Sequence, residues 1–238
     1  GSSIGTDGSI VGAVLNGFAD YLMGDQTQAY TTYSPLNAPN RPFPGSDWSW
    51  GYQGANPVQK AHRHVMVAKD SLEAPDYYVI FDDIDKDGAN HTYDWTFHTE
   101  SDFSLNTAAN PIIVSGDTPD RQLRLYFANP SFGSLGFSSA VFDNASDDPD
   151  TLRVRATASG VANPQFVVLL QPGDAATERP AITSPSGVTG ALATQLQWAL
   201  AKDTLYVRQG ASVSHAGLTS DARMLLTRRR PDGTLRSF

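Results

Sequence analysis

Short apolar runs recur along this chain at intervals of about ten residues, separated by clusters of Gly, Pro, Asn and Asp, which is the pattern of an all-β protein. Three runs are especially regular. His62-Arg63-His64-Val65-Met66-Val67 continues an alternating stretch, Tyr77-Tyr78-Val79-Ile80-Phe81-Asp82 is β-branched and aromatic, and Tyr93-Asp94-Trp95-Thr96-Phe97-His98 alternates apolar with polar. They predict antiparallel strands over 60–69, 76–83 and 91–99, adjacent in one sheet. Further strands are predicted over 111–114, 121–128, 137–142, 152–157, 165–170, 194–200, 203–208 and 222–227, followed by a hairpin through Arg230-Pro231-Asp232-Gly233-Thr234. Residues 9–30 carry Ile10, Val11, Val14, Phe18, Tyr21 and Leu22 at spacings that suit a helix. Gly12, Gly17 and Gly24, at roughly 1 kcal/mol each in a helix, turn the reading to strands with bulges. The predicted fold class is an all-β, antiparallel multi-stranded β-sandwich of stacked sheets. It forms one domain over 1–238, with 1–8 as boundary or tag residues.

Two segments interrupt the regular pattern. Residues 34–57 hold five prolines and form a long loop that carries Trp48, Trp50 and Tyr52. Such aromatics either stack on sugar rings or pack the loop onto the sheet. Asp147-Asp148-Pro149-Asp150 reads as a polar turn inside the strand series. The start Gly1-Ser2-Ser3 reads as a cloning scar or an excised boundary, so the chain is expected to be a piece of a larger protein.

Charge and composition narrow the chemistry. A net charge of −8 disfavours a nucleic-acid partner, which calls for a basic face, while leaving an anionic substrate open to a locally positive cleft. The chain has no Cys, which removes disulfides, thiolate metal sites and a Cys nucleophile. No stretch reaches the ~18 apolar residues of a membrane-spanning helix, so no membrane span is expected. Nucleotide loops, Gly-x-Ser-x-Gly elbows and His-Glu-x-x-His helices are lacking from the sequence.

Histidine carries the strongest signal: four of the five lie between His62 and His98. His62 and His64 fall on one face of their strand, because side chains repeat every second residue. Asp82 and His98 each end a strand. His64, Asp82 and His98 form a borderline N/O ligand set suited to Zn2+ with a fourth position open, and His62 sits one pleat away as a free imidazole. Taken singly, each is more simply an ordinary hydrogen-bonded side chain. A symmetric hairpin over 77–98 would set Asp82 opposite Tyr93 and leave His98 about 15 Å further on at ~3.3 Å per residue. A bulge, a bend or a third strand must return His98, or His91 is the ligand instead. Asp83-x-Asp85-x-Asp87-Gly88 with Asp94 matches the acidic half of a calcium loop, yet its flanks are strands and Asp-Gly turns are frequent in hairpins. Asn90-His91-Thr92 and Asn144-Ala145-Ser146 match the glycosylation sequon, and Arg228-Arg229-Arg230 reads as a solvated edge.

Residues 18–99 resemble the β-sheet domain of the heparinase II/III-like polysaccharide lyases. The resemblance runs through Ala19-Asp20-Tyr21-Leu22-Met23-Gly24-Asp25, Ala29-Tyr30 and His62-Arg63-His64. It continues through Asp76-Tyr77-Tyr78-Val79-Ile80-Phe81-Asp82-Asp83-Ile84 and Tyr93-Asp94-Trp95-Thr96-Phe97-His98-Thr99. It implies a secreted or periplasmic bacterial enzyme in which an α/α toroid packs on this sheet domain. The cleft between them cleaves uronic-acid polysaccharides by β-elimination. It also implies that His62 faces the substrate as a catalytic residue, and that His64, Asp82 and His98 hold a zinc that fixes the His62 strand from behind. The toroid supplies further catalytic groups, so the isolated chain is expected to be inactive. The alternatives are a non-catalytic carbohydrate-binding or structural module, and part of a uronate epimerase, which shares the proton abstraction.

Overall fold

The computed structural model describes residues 8–27, 58–69, 71–100, 103–108, 110–116, 118, 120–128, 135–142 and 151–238. The aromatic loop at 34–57, the polar turn at 147–150 and the Asn144 sequon lie outside them. In chain order the strands are β1 (Ser9–Leu15), β2 (Ala19–Asp25), β3 (Lys60–Ala68), β4 (Tyr77–Asp85), β5 (His91–Glu100), β6 (Ser104–Asn106), β7 (Ile112–Ser115), β8 (Gln122–Phe127) and β9 (Gly136–Phe142). They continue as β10 (Thr151–Val161), β11 (Gln165–Gly173), β12 (Ala181–Thr183), β13 (Ala191–Gln197), β14 (Lys202–Arg208), β15 (Val213–His215), β16 (Leu218–Ser220), β17 (Met224–Arg229) and β18 (Leu235–Ser237). The fold is all-β and every pairing between these strands is antiparallel.

An eight-stranded sheet, ordered β1-β2-β3-β4-β11-β8-β7-β6, forms the middle layer. On one face, its Met66, Tyr77, Val79, Phe81, Val167 and Leu169 pack against Leu196, Leu205, Val207, Met224 and Leu226 of the five-stranded sheet β12-β13-β14-β17-β18 and Trp198 of its β13–β14 turn. On the other, its Ile112, Val114, Leu125, Phe127, Phe166 and Val168 pack against Trp95, Val154, Ala156 and Ala158 of the sheet β5-β10-β9. Stacked sheets were the expectation, and the odd–even alternation along β4 and β11 feeds the two cores in turn. The bulge expected in the first hairpin is the register shift between Ile10 and Gly12. At the closing hairpin, Gly233 has φ +88°, a conformation open to glycine at little cost, and Arg230 and Thr234 are joined across it.

The expected adjacency of the three strands that carry His62 and His64, Asp82, and His98 holds for two of them. β3 and β4 pair, with His62 opposite Asp83 and His64 opposite Phe81. β5 does not follow in the same sheet, because the free edge of β4 is taken by β11, and β5 pairs with β10 in an outer layer. The burial patterns show why. Phe166 to Leu169 is buried at every residue, which suits a strand covered on both faces. β5 buries Trp95 and exposes Asp94, Thr96 and His98, as a strand with one wet face should.

Candidate functional site

Where the middle sheet meets the five-stranded sheet, the apolar core ends in a cluster of polar side chains. β3 points Lys60, His62 and His64 into it, continuing the face that carries Met66 and Ala68 into the core. β2 adds Tyr21 and Asp25, since Tyr21 stands opposite Met66 and Asp25 opposite His62. β4 adds Asp83, and the segment leading into β17 adds Arg223.

His64 is wholly enclosed. Its Nδ1 lies 2.7 Å from the Tyr21 hydroxyl, and its ring centroid is 5.0 Å from that of Phe81. Burial, reinforced by the charge of Arg223, lowers its pKa to about 4, so the ring is neutral at ordinary pH. Burial also raises the Tyr21 pKa, which keeps the hydroxyl protonated. His62 retains 22% side-chain exposure, its ring centroid lies 6.4 Å from that of His64, and its Nε2 is 3.7 Å from Asp25 Oδ2. The Asp25 carboxyl is held below the usual range chiefly by hydrogen bonds from Thr27, with His62 adding to the effect.

Asp83 is the electrostatic centre of the cluster. Lys60 Nζ lies 2.8 Å from its Oδ1, Gln165 Nε2 donates at 3.4 Å, and Arg223 donates to its Oδ2. Burial pushes its pKa up, but these partners outweigh it and leave the carboxyl below its ordinary value. The side chain is 3% exposed, so a buried carboxylate ties the middle sheet to the five-stranded one.

The residues expected to bind zinc do not converge. Asp82 points to the opposite face of β4 from His64, where Arg63 holds it in a two-pronged pair at 2.7 and 2.8 Å. His98 stands on the exposed face of β5, opposite Arg153 of β10. His91, the alternative ligand, pairs with Asp87 at 2.7 Å beside the β4–β5 turn. The calcium pattern is dispersed as well: Asp83 belongs to Lys60 and Arg223, Asp87 to His91, and Asp94 to Thr157 and Arg155. Among the described residues no three His, Asp or Glu side chains are grouped to hold a metal ion. The set His64, Asp82 and His98 therefore does not fit zinc in this arrangement. The residue pattern singled out His62 and His64, whose shared face follows from strand period alone. Tyr21, Lys60 and Arg223 carry no comparable local signal as site residues, because their roles depend on cross-strand and cross-sheet neighbours. Asp83 belongs to the calcium pattern in the sequence, and its place two residues after Phe81 is the signal that sets it on the inward face.

The fold and this cluster define a layered β-sheet domain with a histidine-bearing polar end. Among solved structures, the chain is similar to heparan sulfate lyase HepC from Pedobacter heparinus, with a TM-score of 0.54 and 13% identity, over 90% of this chain and 29% of that one. It is similar to a mutant of the same lyase with a TM-score of 0.53 and 13% identity, over 85% of this chain and 28% of that one. Likeness at this identity is likeness of fold: the chain has the architecture of one part of that lyase and spans under a third of its length. Comparison with protein-family profiles gives no match, and comparison with curated protein sequences gives none either.

Proposed function

We propose that this chain is the β-sheet domain of a polysaccharide lyase that cleaves uronic-acid-containing polysaccharides by β-elimination. In this reading His62 is the group it presents to a cleft shared with an α/α toroid of the same protein, in a secreted or periplasmic enzyme. The observation that carries the reading is the coincidence of a lyase-type fold with a partly exposed imidazole at the polar end of its middle sheet.

The chemistry accounts for the demand on such a group. The C5 proton of a uronate is weakly acidic, so its carboxylate must first be neutralised by hydrogen-bond donors or a cation. A base then removes the proton, and an acid protonates the departing O4. His62 has one nitrogen towards Asp25, which orients the ring as an imidazole donor or base requires. His64, held neutral and pinned by Tyr21, supports the strand behind it. No step is assigned to a metal, because the expected ligands lie on separate faces and sheets.

The test is cleavage by the complete protein, followed by the ultraviolet absorbance of the unsaturated product. The complete protein should cleave a uronate polymer and the 238-residue chain alone should not. Inversion at C5 without a new unsaturated end would replace this reading with the epimerase. Binding without either reaction would replace it with the carbohydrate module.

A further inference from the structure

β1 ends the eight-stranded sheet, and among the described residues no strand pairs with its outer edge. A free edge offers a row of backbone donors and acceptors to another strand, and folded proteins guard such edges with charge or short length. The other free edges follow that rule. β6, β12, β15, β16 and β18 have three residues each, and β5 carries His91, Asp94, His98 and Glu100. β9 is long, but its Phe137 packs against the core, and Ser138, Ser139 and Ala140 are what it exposes. β1 differs on both counts: its seven residues include no charge, and Ile10, Val11, Val14 and Leu15 are 52–79% exposed.

This edge is also self-complementary. Val14 stands opposite Tyr21 and Gly12 opposite Met23, so both lie on the face of β2 that meets the five-stranded sheet, two positions apart. Val14 borders a cavity of about 280 Å³ between β2 and β17, together with Phe18, Met66, Leu226 and Phe238. Gly12 leaves open space, since a Cβ built there meets nothing within 4 Å. A knob and a gap two residues apart on one face fit a second copy of the same strand. Antiparallel pairing about a two-fold axis at Ala13 sets Val14 of each copy against Gly12 of the other, and Leu15 against Val11. The register shift between Ile10 and Gly12 confines the pairing to residues 11–15. Side chains near such an axis face their own copies, so any charge there would oppose itself, and β1 has none.

We infer that this chain forms a two-fold dimer through β1, which joins the eight-stranded sheets of two copies edge to edge. The occupant of the edge is a second copy of this chain, and the inference is independent of the lyase reading. The paired stretch is short, so the contact is small and the dissociation constant falls roughly in the micromolar range. Each copy carries a net charge of −8, so the two repel at long range and added salt should tighten the dimer.

Sedimentation equilibrium of the full chain from about 1 to about 500 μM should show monomer and dimer with nothing larger, shifted towards dimer at about 0.5 M salt. Gly12→Val fills the gap without meeting a neighbour in the single chain. It should keep the melting temperature and weaken the dimer by roughly tenfold or more. Ala13→Glu sets two carboxylates face to face on the axis and should weaken it likewise, most at low salt. Leu72→Lys changes a fully exposed leucine in the β3–β4 turn and should leave the dimer unchanged. The chain has no cysteine, so Ala13→Cys adds one thiol per copy at a spacing a disulfide can span. Mild oxidation should link that variant into a covalent dimer far faster than Leu72→Cys. A monomer at every concentration, open-ended oligomers, a dimer indifferent to both Gly12→Val and Ala13→Glu, a dimer that Leu72→Lys dissolves, or equal oxidation of the two cysteine variants overturns the proposal.

Discussion

The buried pair Asp203–Arg228 predicts a large and distinctive loss of stability when only one partner is removed. The two residues are cross-strand partners on β14 and β17, joined by two hydrogen bonds of 2.7 Å. Asp203 also accepts from the Tyr77 hydroxyl of the middle sheet at 2.8 Å and from Trp198 Nε1 at 3.3 Å. Arg228 donates to Ser71 Oγ at 2.7 Å, and its guanidinium lies 5.2 Å from the centroid of the Phe18 ring. The side chains of the pair are 0% and 2% exposed, so water cannot compensate a missing partner. Asp203→Ala strands a guanidinium, a phenol hydroxyl and an indole N–H together. Breaking a buried pair in this way costs about 3–5 kcal/mol, a large part of the roughly 5–15 kcal/mol that holds a domain folded. At about 2–4 °C per kcal/mol for a chain of this size, the melting temperature should fall by at least about 6 °C. Replacing the network by apolar groups in Asp203→Leu/Arg228→Met/Tyr77→Phe should restore most of that loss, because both the buried charges and the hydroxyl are then gone. Urea unfolding followed by tryptophan fluorescence reads the difference, with Trp198 inside the network as reporter. A cost below about 1 kcal/mol for Asp203→Ala, or a triple variant no more stable than the single one, would refute the argument that desolvation dominates here.

His62→Ala in the complete protein should lower kcat by about 10²–10⁴-fold with an unchanged melting curve, the loss expected for an acid–base group; normal turnover would end the catalytic reading of this face. The depressed His64 pKa gives a signed pH dependence: between the unfolded value near 6.5 and the folded value of about 4, the unfolded chain binds more protons. Stability should therefore fall as pH drops through that window, by roughly 3 kcal/mol in all, and level off below it. Denaturant titrations at stepped pH should show this slope in the native sequence and lose it in His64→Leu. A chelator should leave the melting temperature unchanged, because Asp82 and His98 lie away from His64; a fall on chelation would show that a metal-binding arrangement forms. Asp82→Ala should lower stability by releasing Arg63 while leaving the His62 and His64 ring resonances in place, since it acts on the opposite face of the sheet.

Whatever depends on near neighbours along the chain could be read without coordinates. Alternation set the strands, the Asp-Gly and Gly-containing turns marked hairpins, and the two-residue period put His62 and His64 on one face. The same period sets Asp83 on the face of Phe81 and Asp82 on the other, but their partners required the register of β3 on β4, which places His62 opposite Asp83 and Arg63 opposite Asp82. The place of β5 was decided further away still. β11, more than eighty positions downstream of β4, offers it a partner buried on both faces, and the half-wet β5 is left to build an outer layer with β10. Arg223 lies 140 positions from the Asp83 it holds. Nothing near Arg223 in sequence records that contact, because the packing of one sheet on another brings its charge to the histidines.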